Sequence, residues 1–279
     1  MRLFLLTLLT MLAFAANSVL NRAAVGPGLI DPVSFAVVRL LAGAGMLGVL
    51  LMVRRGLAGG PVWAGWQGRV VGLLSLLVYL FGFSLAYGAL DAGTGALILF
   101  GMVQITMFAG ALMRREAVPG RRWVGAGMAF AGLLYLLAPG SVPSGHPVPV
   151  ALMAAAGIGW GVYSLSARGA RDPLSATGWN FILAVPVALA VWALAPHGAM
   201  AAAGIALAVV SGAVTSGLGY ALWYSVLPVL GASRGAVAQL TVPVFALAGG
   251  MAFLGEALTL RFAIAAMLVI GGVGWALRR

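Results

Sequence analysis

Ten apolar stretches, each long enough to cross a bilayer as a helix, determine the architecture that this chain can adopt. They lie at residues 3–24, 33–53, 69–90, 94–113, 122–138, 149–168, 174–195, 203–227, 234–254 and 260–277. A hydrocarbon core about 30 Å thick requires roughly 17–25 helical residues. An open strand edge would leave its polar backbone groups unsatisfied in lipid. The sequence therefore predicts an all-α polytopic membrane protein with ten transmembrane helices.

The charged residues support a membrane environment. They make up only 8% of the chain, against about 25% in a typical soluble domain. The sixteen basic residues are all arginine, and most of them flank the apolar stretches, as topology signals and contacts to anionic lipid headgroups do. Despite the net charge of +11, the expected partners are therefore membrane lipids and a small-molecule substrate, with no nucleic acid. The oligomeric state stays open.

Arginine placement also predicts the orientation. With a cytoplasmic N-terminus, thirteen arginines lie on the inner side and two, Arg22 and Arg261, on the outer side, while Arg39 lies within the second stretch. We therefore expect a multi-pass protein of the bacterial inner (plasma) membrane with both termini in the cytoplasm. The first stretch begins like a signal peptide, but it continues to Val25, so we expect it to remain as the first helix.

The chain is predicted to consist of two five-helix repeats, residues 1–138 and 150–279, joined by a periplasmic connector at 139–149. The connector holds four prolines, which cannot propagate a helix. Asp31-Pro32 before the second stretch matches Asp172-Pro173 before the seventh, and Glu116 matches Glu256. Because each half has an odd number of spans, two similar halves must be inserted in opposite directions, a construction typical of secondary transporters.

Several of these features together resemble the drug/metabolite transporter superfamily, and within it the EamA-type ten-helix exporters. They are the paired five-helix halves, Arg39 in the second stretch, and Gly255-Glu256-Ala257-Leu258-Thr259 before the last one. The first half departs from this pattern, since Glu116 lacks the preceding glycine. The length and overall pattern are most similar to the YddG-type aromatic amino acid exporters. The resemblance implies alternating access through a central cavity, with the fourth and ninth spans lining the path.

Polar and aromatic side chains at membrane depth are the candidates for substrate contact, because such residues are costly there unless they have a function. Arg39 would attract a substrate carboxylate, or alternatively would be a structural guanidinium bound to carbonyls of a neighbouring helix. Asn17 and Tyr163 occupy matching places in the first and sixth spans, with interhelical bonding as their alternative role. The predicted substrate-binding residues are Asn17, Arg39, Tyr79, Gln104, Trp160, Tyr163, Tyr220 and Gln239.

The distribution of acidic residues narrows the function. All five lie at predicted span ends, whereas proton relays and pumps for cationic drugs place a carboxylate within the membrane. The two histidines have no partner spacing for metal binding or catalysis. We therefore expect no enzyme, no cofactor and no metal. The leading hypothesis is an exporter of aromatic and other neutral amino acids. The alternative is an exporter of another small metabolite, such as a nucleobase or vitamin, or of a lipophilic drug.

Overall fold

The computed structural model describes residues 1–58, 65–66, 68–113, 115, 119–137, 147–166, 170 and 172–276. In chain order the elements are α1 (Arg2–Val25), α2 (Pro32–Ala58), α3 (Arg69–Ala86), α4 (Ala92–Met113), α5 (Gly120–Leu137), α6 (Pro147–Ser166), α7 (Pro173–Leu194), α8 (Ala202–Val210), a π-helical segment (Ser211–Leu218), α9 (Gly219–Gln239), α10 (Val242–Leu254) and α11 (Leu260–Ala276). Because α8, the π-helical segment and α9 follow one another without a break, they form one continuous helix, and the described residues form ten helices in all. The predicted all-α class with ten spans is confirmed.

Seven of the described helices are long and apolar enough to cross a bilayer unaided. They are Arg2–Val25, Pro32–Leu57, Arg69–Ala86, Ala92–Met113, Pro147–Ser166, Pro173–Leu194 and Ala202–Leu230. Three shorter apolar helices, Trp123–Leu136, Val242–Leu254 and Leu260–Gly272, complete the set. Short spans are accommodated by local thinning of the bilayer or by flanking residues that reach the interface.

The predicted boundary between the eighth and ninth spans is wrong. We expected a loop over residues 228–233, but α9 continues through them to Gln239. The chain turns at Leu240 and Thr241, and α10 begins at Val242 with Pro243 in its first turn. Proline is tolerated there because the first amides of a helix have no intrahelical acceptor. At the connector, α6 already begins at Pro147, and residues 139–146 lie outside the described part of the chain.

Both Asp-Pro helix starts form as predicted. The Ser34 amide donates to Asp31 Oδ1 at 2.9 Å, and the Ser175 amide donates to Asp172 Oδ1 at 3.1 Å. Each carboxylate thereby satisfies an amide of the first helical turn, which lacks an intrahelical partner. Asp31 also accepts from the Gly198 amide at 3.4 Å, and this contact ties the start of α2 to the segment after α7.

The most extensive helix contacts are symmetric under exchange of the two halves. For this comparison α8, the π-helical segment and α9 count together as the third helix of the second half. The contacts of α1 with this third helix and with α10 correspond to those of α6 with α3 and α4. The contact of α2 with the π-helical segment corresponds to that of α7 with α3. The contacts of α2 with α7, α4 with α10, and α5 with α11 map onto themselves. This pattern is what an inverted repeat produces.

Glycines allow the closest contacts at related places in the two halves. A methyl group on Gly212, in the π-helical segment, would overlap the carbonyl oxygen of Arg39 on α2. A methyl group on Gly72, on α3, would lie 2.6 Å from the amide nitrogen of Asn180 on α7. Gly272 similarly brings α11 within contact of the Gly125 carbonyl on α5. Small residues let apolar helices approach closely enough for backbone contact.

Each end of the bundle carries one described ion pair. At the predicted outer end, Arg22 Nη2 lies 3.7 Å from Asp91 Oδ1, and Arg22 Nη1 donates to the Tyr87 carbonyl at 3.1 Å. At the predicted inner end, Arg54 pairs with Asp172 through both of its terminal nitrogens. The hydrogen bond from Arg54 is the main cause that lowers the pKa of Asp172, against partial burial. Both pairs join the end of one helix to the beginning of another.

The Gly-Glu pair after α10 has a specific role at the predicted outer end. Gly255 adopts φ +67°, a left-handed conformation that glycine accommodates without strain, and so ends α10. Glu256 then accepts from the Ala92 amide at 2.6 Å and the Gly93 amide at 3.4 Å, at the start of α4. Burial of this carboxyl raises its pKa, and the two amide hydrogen bonds partly offset the rise. Glu256 thus joins the end of α10 to the start of α4. These are the ninth and fourth spans, which the resemblance places along the transport path.

Candidate functional site: a central aromatic cavity

A small cavity lies at the centre of the bundle, between helices of both halves. Its lining is mostly aromatic, with a few polar groups. The lining residues are Phe14, Asn17, Ser18, Tyr79, Phe83, Leu99, Phe100, Trp160 and Tyr220. The space left between these side chains is about that of one water molecule. A molecule larger than water therefore enters only when these side chains or their helices move.

Trp160 is the centre of the aromatic lining. Its ring stacks on Tyr220 with centroids 5.2 Å apart, and on Tyr163 with centroids 5.5 Å apart. Phe14 meets Trp160 edge-on at 6.3 Å, and Tyr79 lies 5.1 Å from Trp160 in a tilted arrangement. These separations are those of favourable aromatic pairs. Because α1, α3, α6 and α9 each contribute a ring, the surface depends on both halves.

Arg39 lies next to this cavity and is fully buried. Its Nη2 donates to the Tyr79 hydroxyl at 2.8 Å, and its Nε donates to Ser216 Oγ at 3.2 Å. The guanidinium carbon lies 5.2 Å from the centre of the Tyr79 ring and 5.0 Å from that of the Phe83 ring. The ion pairs found among the described residues involve other arginines. The charge of Arg39 is thus held by hydroxyl groups and ring faces.

Asn17 links α1 to the π-helical segment, at the residue Ser216 that also accepts from Arg39. Its Oδ1 accepts from Ser211 at 2.8 Å, from Thr215 at 2.6 Å and from Ser216 at 3.3 Å. Three hydroxyls converge on one oxygen because the wider turn of a π-helix brings residues five apart onto one face. We call Asn17, Arg39, Tyr79, Thr215 and Ser216 the Arg39 cluster.

A second buried polar cluster lies nearer the predicted inner end. Arg69 is 6% exposed and donates from Nη1 to Asn180 Oδ1 at 2.7 Å, and also to the Ala176 carbonyl. The Tyr163 hydroxyl donates to Thr177 at 3.0 Å, and Thr177 donates to Tyr224 at 3.1 Å. We call Arg69, Tyr163, Thr177, Asn180 and Tyr224 the Arg69 cluster. It ties α3, α6 and α9 to α7.

Three buried side-chain atoms among the described residues have no hydrogen-bond partner. They are Arg39 Nη1, Trp160 Nε1 and Asn21 Oδ1. Trp160 lines the cavity, and Arg39 lies against two lining rings. An unpaired buried polar atom costs free energy, so such atoms mark places where a ligand or water completes the bonding.

The structure brings six of the eight predicted substrate-binding residues to this region. Asn17, Tyr79, Trp160 and Tyr220 line the cavity, and Arg39 and Tyr163 each contact a lining residue. The other two, Gln104 and Gln239, are only half-buried and do not line the cavity described here. Gln104 lies midway along α4, while Gln239 is the last residue of α9.

Sequence reasoning missed several buried polar residues in the two clusters and near them. Tyr87, near the end of the third predicted span, was not among the predicted site residues; it is fully buried and donates to the Ala92 carbonyl at 3.2 Å. Arg69 was taken for an ordinary inner-side arginine. Asn21 and Ser216 were not predicted at all. Asn21 lies one helical turn after Asn17, and that spacing is the signal that could have identified it.

Comparison with known proteins identifies the family. A sequence model of the EamA-like transporter family matches residues 1–138 and 148–278. The chain belongs to the EamA-like transporter family. Over 275 residues the chain is also 48% identical to an uncharacterized protein of Pseudomonas aeruginosa, and the match covers 98% of this chain and 93% of that protein.

A solved structure supports the fold of this EamA-family protein. A crystal structure superposes on it with a TM-score of 0.69 and 21% sequence identity, and covers 97% of this chain and 96% of the other. At that identity the likeness concerns the fold. Membership of the family makes the chain a multi-pass membrane transporter.

Proposed function

We propose that this EamA-family protein is an inner-membrane exporter of small amphiphilic metabolites, chiefly aromatic and other neutral amino acids. The observation that carries the proposal is the central cavity, whose aromatic wall lies beside a buried guanidinium with a free donor. Aromatic side chains of a substrate gain from stacking on Trp160 and Tyr220. A carboxylate gains from Arg39, because charge-assisted hydrogen bonds are strong where water is excluded.

The charge around the cavity favours this substrate class. The acidic residues in the described part of the chain, Asp31, Asp91, Asp172 and Glu256, all lie at helix ends. A cationic drug would meet the positive charge of Arg39 with no carboxylate beside it, whereas a zwitterion brings its own carboxylate. A nucleobase or neutral drug would use the rings but leave Arg39 Nη1 unpaired, which disfavours it as the main substrate.

Alternating access is the mechanism that the packing supports. The cavity lies between two halves whose contacts are exchanged by symmetry, so rocking one half against the other opens the cavity to opposite sides in turn. Contacts that join the two halves would close each end: Arg54 with Asp172 at the cytoplasmic end, and Glu256 with the Ala92 and Gly93 amides at the periplasmic end. We propose the orientation with both termini in the cytoplasm, on the arginine distribution alone.

Flux through purified protein in liposomes tests the proposal. We expect the protein to accelerate phenylalanine and tryptophan flux, and Trp160→Leu to lower that flux at least about tenfold, because the stacking surface is lost. Trp123→Leu is the matched control, since Trp123 lies on α5 away from the cavity. Phenylalanine flux no faster than through protein-free liposomes would overturn the proposal, as would faster transport of a nucleobase or cationic drug than of any amino acid.

A further inference from the structure

We propose that Asn21 binds the ammonium group of the substrate, so that the site recognises a whole zwitterion, with Arg39 on the carboxylate. This inference rests on the proposed function and deepens it, because it specifies the two charged groups that a substrate must carry. Asn21 is fully buried on α1. Its Nδ2 donates to Ser84 Oγ at 2.9 Å, while its Oδ1 has no partner.

The unpaired atoms match the two charged groups of an amino acid. In the described part of the chain they are two donors, on Arg39 and Trp160, and one acceptor, on Asn21. A carboxylate accepts hydrogen bonds and an ammonium group donates them. An α-amino acid therefore supplies the partners that these three atoms lack. A carboxylic acid without the amine would leave the Asn21 oxygen unpaired.

Asn21 lies close to residues that line the cavity. On α1 it follows Asn17 by four residues and Ser18 by three, and both of these line the cavity. Side chains at these spacings are neighbours on one helix face, with about 5–6 Å between their Cβ atoms. On α3 its partner Ser84 follows Phe83, whose ring lies against Arg39. Asn21 is thus about one helical turn from the cavity, towards the predicted outer end.

Ser84 holds one end of the Asn21 amide. Nδ2 donates to Ser84 Oγ at 2.9 Å, and Oδ1, at the other end, has no partner. By contrast, the amide oxygen of Asn17 already accepts from three hydroxyls, so it has little capacity for an ammonium group. This difference assigns the ammonium contact to Asn21, and it leaves Asn17 with the role of positioning the π-helical segment.

Binding to the purified protein tests the assignment with two probes, phenylalanine and 3-phenylpropanoate, which lacks the amine. We expect the unaltered protein to bind phenylalanine about tenfold more tightly, since one charge-assisted hydrogen bond distinguishes the two. Asn21→Leu should weaken phenylalanine binding about tenfold and leave 3-phenylpropanoate binding unchanged, so that the discrimination disappears. Thr10→Val is the matched control, because Thr10 is also buried on α1 but donates to the Leu6 carbonyl of its own helix.

Equal weakening of both probes by Asn21→Leu means that Asn21 only supports the fold, and the inference is overturned. Equal binding of both probes to the unaltered protein also overturns it, while the proposed function stands. Binding and transport of neither probe would refute the proposed function itself. If Asn21→Leu does not fold, Asn21→Asp replaces it, and we expect this variant to gain binding of phenethylamine, which carries only the ammonium group; no gain would contradict the assignment.

Discussion

The Arg39 cluster and the Arg69 cluster occupy related places in the two halves but bind their guanidinium groups differently. Asn17 and Tyr163 correspond in the repeat, as do Arg39 and Asn180, so exchanging the halves exchanges the arginine for an amide. Arg69 donates to the main-chain carbonyls of Gly65 and Ala176 and to Asn180. Arg39 donates to two hydroxyls and keeps one nitrogen unpaired.

This difference separates a structural arginine from one available to a ligand. A guanidinium bound to carbonyls of another helix joins two helices and has few donors left. A guanidinium held by hydroxyls and ring faces keeps its charge uncompensated, and that state is costly unless a ligand completes it. The Arg69 cluster therefore ties α3 to α7, and we propose that the Arg39 cluster recognises the substrate.

Removing Arg39 should have the largest effect on transport. Arg39→Met preserves much of the side-chain volume but deletes the charge, so we expect amino acid flux in liposomes to fall at least about tenfold. The melting temperature in detergent should stay the same or rise, because a buried cation without an acidic partner is removed. A variant that melts well below the unaltered protein would show that Arg39 is structural, and the comparison between the clusters would fail.

Removing Arg69 should have the opposite pattern. Arg69→Met leaves the buried Asn180 oxygen without its donor, which costs about 1–3 kcal/mol, and it also removes the hydrogen bond to the Ala176 carbonyl. One kcal/mol corresponds to roughly 2–4 °C in a chain of a few hundred residues, so the melting temperature should fall by several degrees. The flux per folded molecule should fall less than in Arg39→Met. A selective loss of flux at unchanged melting temperature would reverse the assignment.

Alanine substitutions at Gly212 and Gly72 should have smaller effects than the substitutions of the two arginines, and the two effects should differ in size. Gly212→Ala places a methyl group against the Arg39 backbone carbonyl, which cannot move without shifting α2. Gly72→Ala places it against the Asn180 side chain, which can rotate away. We expect Gly212→Ala to lower both melting temperature and flux more than Gly72→Ala. Gly45→Ala is the control, because space is open around Gly45 on α2. Equal effects of Gly212→Ala and Gly72→Ala would mean that the backbone contact at Arg39 is not tight.

Much of the architecture could be predicted because bilayer thickness acts on local sequence. Apolar stretches, Asp-Pro starts and flanking arginines report helix number and helix starts without any knowledge of packing. The error between the eighth and ninth spans has a local cause, since polar and small residues near Ser233 and Arg234 suggested a loop where α9 continues. Helix ends depend on tertiary contacts that override such weak propensities.

The candidate site was predicted less completely, and the reason is physical. Depth along a helix can be counted from sequence, which is why four predicted residues, Asn17, Tyr79, Trp160 and Tyr220, line the cavity and Arg39 is buried. The side of a helix that faces the bundle cannot be read from sequence when the helix is apolar on nearly all sides, so the buried Tyr87 and Asn21 were missed. The half-buried position of Gln104 shows the same difficulty.

The sequence by itself determined the membrane class, the ten spans, the repeat and the presence of a buried arginine, because each follows from the cost of placing polar groups in hydrocarbon. Only the tertiary structure decided which polar atoms find partners. Whether a guanidinium is satisfied by carbonyls, as in Arg69, or left with a free donor, as in Arg39, depends on helices about one hundred or more residues apart in the chain. Those contacts arise from packing, which also decides which polar atoms remain unpaired.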